Sequence, residues 1–195
     1  MSAGRERSAF LSVLHRELFK PAGFRKQAAN LRRTHGATRQ LVNFQGAAGE
    51  PGTALAYVNV AVGFEEFARH WDRELTDRLR EYEFDKLGFR TRLEALVGGP
   101  DVYDLASVSD QATLRETVAE VLAGLAMIDS LEAFATHPYR ERVGGWEVRM
   151  LTPYCLGQDA EARAVVDELV KRFGDRGFDA DQLIERHRLD RLREG

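Results

Sequence analysis

The sequence predicts an α+β fold: an antiparallel β-meander sheet, a leading helix packed on one face, and a helical C-terminal extension. Three observations carry this. Apolar and polar residues alternate over 25–33, 38–45 and 54–62 with turn residues between, the pattern of strands with one buried face. Ahead of them, Phe10, Leu11, Leu14 and Leu18 recur at helical spacing. From about residue 109 onward the apolar residues return mostly at steps of three and four.

The elements follow in order. The first stripe predicts a helix over 5–20, ended by Pro21 and Gly23. Residues 25–33 predict one strand, with Ala29 and Leu31 on one side and Asn30 and Arg32 on the other. THGAT is a turn. The next strand, 38–45, sets Val42 and Phe44 against Asn43 and Gln45. After the loop GAAGEPG, residues 54–62 set Val58, Val60 and Val62 against Tyr57 and Asn59. Phe64, Phe67, Trp71, Leu75, Leu79 and Tyr82 predict a helix across FEEFARHWDRELTDRLREY. Residues 88–93 alternate again, Phe89, Thr91 and Leu93 against Arg90 and Arg92, and predict a fourth strand; VYDL at 102–105 suggests a fifth. Ser109 or Asp110 caps a long helix whose stripe is Leu114, Val118, Val121, Leu122, Leu125 and Ile128, running on to Phe134 and broken at His137-Pro138. Helices over 146–156 and 159–173 follow, the second closed by Gly174, and Asp179 with Gln182 opens a last one. Two segments result: an α+β domain over 1–143 and a helical extension over 144–195, packed on the same domain, with the boundary at Gly144-Gly145.

Composition bounds the function. Hydrophobic residues make up 44% and charged residues 30%, ordinary for a soluble globular chain. No run approaches the ~18 consecutive apolar residues of a membrane helix, so no membrane partner is expected. MSAGRERSAF has no apolar signal core, so a cytoplasmic location is expected. The single cysteine, Cys155, excludes an internal disulfide and a multi-thiolate zinc site, and its apolar neighbours predict a small buried hydrophobe. Net charge is −3, but residues 1–40 carry nine basic and two acidic side chains, +7, leaving −10 for the rest. Either the front segment meets an anionic partner or the acidic rear neutralises it within the fold, and the second is favoured slightly.

Four pieces in order carry a family resemblance: a leading helix ending in LFKPAGFRK, the strand NLRR, the segment QLVNFQGA, and AYVNVAV. The likeness continues through FRTRLEAL, DVYDL and the helix after them, over roughly residues 8–135. On these the chain resembles a bacterial family, domain of unknown function 4304. The resemblance implies an α+β domain and transfers no catalytic residue. VYDL is less aromatic than the family pattern, and the C-terminal third matches little of it.

Motifs of catalysis are missing. There is no GxxxxGK[ST], no GxGxxG after a strand, no HExxH and no GxSxG. His70 stands one helical turn from Glu66 and from Glu74, a spacing that most often marks a solvated helix face. Asp101 and Asp104 follow a Gly-Gly-Pro turn and read as turn polarity. No metal site, cofactor or catalytic residue is expected. The constellation that remains is the outer face of the strands: Lys26, Asn30, Arg32, Arg39, Asn43, Gln45, Tyr57, Asn59, Arg90 and Arg92. Arginine forks and amides together suit a carboxylate or phosphate. The functional expectation is a non-catalytic binding module that engages an acidic protein partner through this face, as immunity-type proteins do by analogy. Nucleic acid ranks below it, with one tyrosine for base stacking and an isoelectric point near 6.0. A phosphorylated ligand on the same face is a further alternative. So is an unrecognised enzyme using His35 or His70.

Overall fold

The structure, a computed structural model, describes residues 3–47, 54–76, 79–143, 145–177 and 179–193. The leading stripe forms α1 (Ala3–Leu14), which passes into a π-helical turn over His15–Phe19. Phe10, Leu11 and Leu14 are buried, so the predicted stripe does face the core. The sheet comprises β1 (Arg25–Gln27), β2 (Asn30–His35), β3 (Thr38–Gly46), β4 (Leu55–Phe64), β5 (Gly88–Arg92) and β6 (Tyr103–Asp104). Its order is β1-β2-β3-β4-β5, with β6 beside the start of β4, and every pair is antiparallel.

The predicted single strand over 25–33 is a hairpin. Gln27 pairs with Asn30 and Arg25 with Arg32 across a two-residue loop, Ala28-Ala29. Ala28 takes the left-handed conformation (φ 53°) such loops require, although alanine carries no preference for it. The loop at 36–37 is equally tight. Gly36 has φ 55°, and a Cβ there would lie 2.3 Å from the Asp129 carbonyl oxygen, so only glycine fits.

The long stripe from Phe64 to Tyr82 is not one helix. Phe64 ends β4, and α2 spans only Glu65–His70. Asp72 turns the chain at φ 51°, and a 3-10 turn at Glu81–Glu83 leads into α3 (Phe84–Leu87). This segment crosses one end of the sheet's outer face. There Leu79, Phe84, Leu87 and Ala68 bury Leu41 and Ala61, forming a second, smaller core. Apolar residues at helical spacing thus cover a sheet without forming a helix.

After β5 come α4 (Leu93–Val97) and, beyond β6, α5 (Val108–Ala126). The cap of α5 is Ser107, not Ser109 or Asp110: its hydroxyl accepts from the Asp110 N–H at 3.3 Å. Replacing Ser107 with alanine is expected to cost about 1 kcal/mol, read by chemical denaturation. The helix stops at Ala126 rather than running to Phe134. Ser130 caps a separate α6 (Leu131–Thr136), followed by α7 (Tyr139–Arg142). The C-terminal segment holds α8 (Trp146–Cys155), α9 (Asp159–Phe173) and α10 (Ala180–Arg186), the last opened by Asp179 as predicted. Gly144, half of the expected boundary, lies outside the described residues, as do 48–52 of the GAAGEPG loop.

The main core lies on the other face of the sheet. Phe64, Phe89 and Phe134 meet there, with Phe134 5.1 Å from each of the other two ring centroids. Gln40, also on this face and buried, donates to the carbonyls of Leu125 (2.9 Å) and Ile128 (2.8 Å). The Ala37 N–H donates to the Asp129 carbonyl at 2.7 Å. These bonds pin the β2–β3 turn to the corner between α5 and α6. One hydrophobic cluster runs from Phe10 to Leu192. Ion pairs join the acidic rear to its own arginines: Arg140 to Glu161, Arg149 to Glu168 and Arg191 to Asp159.

Candidate functional site

Strand register decides which side chains share the outer face. Asn30, Asn43, Asn59 and Arg92 align across β2, β3, β4 and β5. Arg32, Leu41, Ala61 and Arg90 form the next row, and Thr34, Arg39 and Gly63 the one after. Gln45 and Tyr57 pair on the same face beyond Asn43 and Asn59. Nine of the ten residues expected on this face are therefore together.

Lys26 is the exception and is corrected. It pairs with Leu31, so it faces the helical side, where its Nζ donates to Ser12 Oγ at 2.8 Å. The Ala28-Ala29 loop reverses the chain, so β1 is a separate strand and its parity does not continue that of β2. The same reversal brings Arg25 and Gln27, opposite Arg32 and Asn30, onto the outer face. Neither was expected there, because Ala-Ala gives no turn signal.

The nine residues do not form one continuous surface. The segment carrying Leu79 and Phe84 lies against Arg32 and Arg39, and all four line a cavity of about 10 Å³, too small for a ligand. Arg90 is held by Asp85 through two bonds of 2.9 and 3.0 Å and by Glu81 at 3.2 Å. Hydrogen bonding to Asp85 raises its pKa further. Its role is to hold α3 to the sheet.

The other end carries a ladder of amides. Asn43 Nδ2 donates to Asn30 Oδ1 at 2.8 Å, and Asn59 Nδ2 donates to Asn43 Oδ1 and Gln45 Oε1, each at 3.2 Å. The Arg92 guanidinium lies 4.1 Å from the Tyr57 ring centroid, a cation–π contact that holds it beside the ladder. Arg92 Nη1 is buried and has no hydrogen-bond partner among the described residues. Asn59 is buried, Asn30, Asn43 and Arg92 are half-buried, and Gln45 is exposed, while the packing seen for α5, α6 and the C-terminal helices is with the core face and with α2.

The histidines and carboxylates weighed for catalysis have structural partners. His35 Nε2 donates to the Ala126 carbonyl at 2.9 Å, and His15 Nε2 to that of Phe24 at 3.1 Å. His70 Nε2 donates to the His187 carbonyl at 2.7 Å. Glu74 lies beyond the end of α2, so the expected Glu66–His70–Glu74 helix face does not form. Asp104 Oδ1 accepts from the Ala106 N–H at 3.0 Å in a turn. Burial pushes the Cys155 thiol up to about 12, so it stays protonated and unreactive near neutrality. Among the described residues, no group of three or more His, Cys, Asp or Glu side chains could hold a metal ion. No helix among them is long and apolar enough to cross a membrane.

An open antiparallel sheet with its main helices on one face and, on the other, an amide-and-arginine surface partly covered by the α2–α3 segment defines an α+β domain. The chain belongs to the family described as a domain of unknown function (DUF4304), whose family model matches residues 15–132. That match runs from the π-helical turn into α6. None of the curated proteins and none of the solved structures matches the chain.

Proposed function

We propose that the chain is a non-catalytic binding module that engages an acidic protein partner through the amide-and-arginine end of its outer sheet face. The observation that carries this reading is the half-buried Asn30–Asn43–Asn59 ladder ending in Arg92, with Gln45 exposed beside it and the core helices packed on the other face. Arg92 is already oriented by Tyr57, so little side-chain freedom is lost when it meets a carboxylate. The same contact disfavours nucleic acid, because it occupies a ring face that a base would stack on. The setting we infer is a bacterial cytoplasm, from the bacterial family the sequence resembles and a lone cysteine suited to a reducing compartment. We also infer that residues 144–195 are an extension of the 1–143 domain, since one hydrophobic cluster draws on both.

The test is a tagged pull-down from host lysate, nuclease-treated, with the partner then purified and titrated. Arg92→Glu is expected to weaken binding at least about tenfold, by placing like charges together. Lys26→Glu, on the opposite face, is expected to leave it within about twofold. A partner bound equally by wild type and Arg92→Glu would overturn the reading.

A further inference from the structure

One row of the outer face crosses β1 to β5 in turn: Gln27, Asn30, Asn43, Asn59 and Arg92. Its amide hydrogen bonds all run the same way. Asn59 donates through Nδ2 to Asn43 Oδ1 at 3.2 Å, and Asn43 donates through Nδ2 to Asn30 Oδ1 at 2.8 Å. Each of these N–H groups therefore points from β4 toward β1. Amides linked donor to acceptor polarise one another, so the chain has an acceptor end at Asn59 and a donor end at Asn30. Asn59 Nδ2 also donates to Gln45 Oε1 on β3, so this nitrogen is turned away from Arg92 on β5. A cation thus follows the acceptor end of the row, as the polarity favours. At the donor end the Asn30 oxygen is taken by Asn43, which leaves Nδ2 as the group Asn30 can still offer. That nitrogen has no partner among the described residues, and solvent reaches it. The β1–β2 hairpin adds two exposed side chains on the same face, Gln27 in the row and Arg25 two residues before it.

We propose that the donor end of this amide chain is a second seat for the acidic partner, where a carboxylate of an extended protein segment accepts from Asn30 Nδ2 and Gln27 and pairs with Arg25. This rests on the reading of the outer face as a partner surface and extends it from Arg92 to the hairpin. Amide N–H groups at the positive end of an aligned chain, beside a guanidinium, complement a carboxylate and repel a cationic side chain. Neighbouring strands lie about 4.8 Å apart, so the row from Gln27 to Arg92 spans roughly 19 Å. A segment that meets both ends carries acidic groups about six residues of extended chain apart.

The probe is a decaglutamate peptide, long enough to span the row. It is titrated near neutral pH and at constant ionic strength into the isotope-labelled full chain while side-chain amide signals are followed by NMR. The Asn30 and Gln27 signals are expected to shift saturably, with one dissociation constant on the order of 1 mM or tighter. The Asn59 signal, whose nitrogen already makes two hydrogen bonds, is expected to move far less. Arg25→Gln is expected to weaken binding about fivefold or more, and Lys171→Gln, which removes an exposed cation of α9, to leave it within about twofold. Absence of a saturable shift at Asn30, or an Arg25→Gln variant that binds as well as wild type, overturns the seat. With the purified partner, a complex weakened by Arg92→Glu but indifferent to Arg25→Gln removes the hairpin seat and keeps the partner surface. A complex indifferent to both removes the surface itself.

Discussion

Replacing Phe134 with alanine is expected to destabilise the protein by about 3–5 kcal/mol, the range for removing a fully buried aromatic ring. Phe134 is 0% exposed. It stacks on Phe89 at an interplanar angle of 24° and packs against Phe64, both from the sheet. The ring lies two residues beyond the end of the family match at residue 132, yet it fills the centre of the sheet's core face. Urea denaturation should show a lower midpoint with an unchanged slope. Phe134→Leu, which leaves a smaller void, should lose less. A loss below about 1 kcal/mol for the alanine variant would mean that Phe64 and Phe89 collapse into the space, and that the family segment closes its core without this residue.

Acidification from pH 7 to pH 4 is expected to cost on the order of 3 kcal/mol through His187 alone. This imidazole is buried, lies 4.8 Å from Trp146 and 6.1 Å from Trp71 between ring centroids, and has no hydrogen-bond partner at either nitrogen among the described residues. Burial first, then Arg186 and His70, lowers its pKa to about 4. Between that value and the 6.5 of an unfolded histidine, the unfolded chain binds the extra proton. The contribution is therefore complete above pH 6.5 and is lost as pH falls toward 4. His70, also lowered mainly by burial, acts in the same direction. His187→Leu should be more stable than wild type near pH 4.5, with the gap narrowing as pH rises through 6.5. Parallel stability curves for the two proteins would remove His187 as the source. The region at stake is where the C-terminal helices meet α2, since Arg188 also pairs with Asp72 at 2.7 Å there.

The inward and outward residues of β2 to β5 were legible in the sequence because strand parity is a local property. Val58, Val60 and Val62 can be buried together only if Tyr57 and Asn59 turn outward. The same argument placed Asn30, Arg32, Asn43 and Arg92 on one face before any contact was known. Helices α1, α9 and α10 were equally plain, since their stripes and the Asp179 cap act within a few residues of chain. The sequence by itself therefore determined the fold class, the polar identity of the outer face and the missing catalytic motifs.

Tertiary structure decided the rest, where local and distant interactions compete. Ala28-Ala29 has no turn chemistry, and the hairpin there exists because β1 can pair with β2. That pairing sends Lys26 to the helices and brings Arg25 opposite Arg32. Leu75 and Leu79 repeat at helical spacing, but burying Leu41 and Ala61 favours their use as a cover. The seat of Arg33, which donates to the Ala22 carbonyl and Gln40 Oε1 and lies over the Phe24 ring, depends on contacts from two other parts of the chain. Periodicity reports which side of an element is apolar; which surface meets that side depends on burial across the whole molecule, which no local window contains.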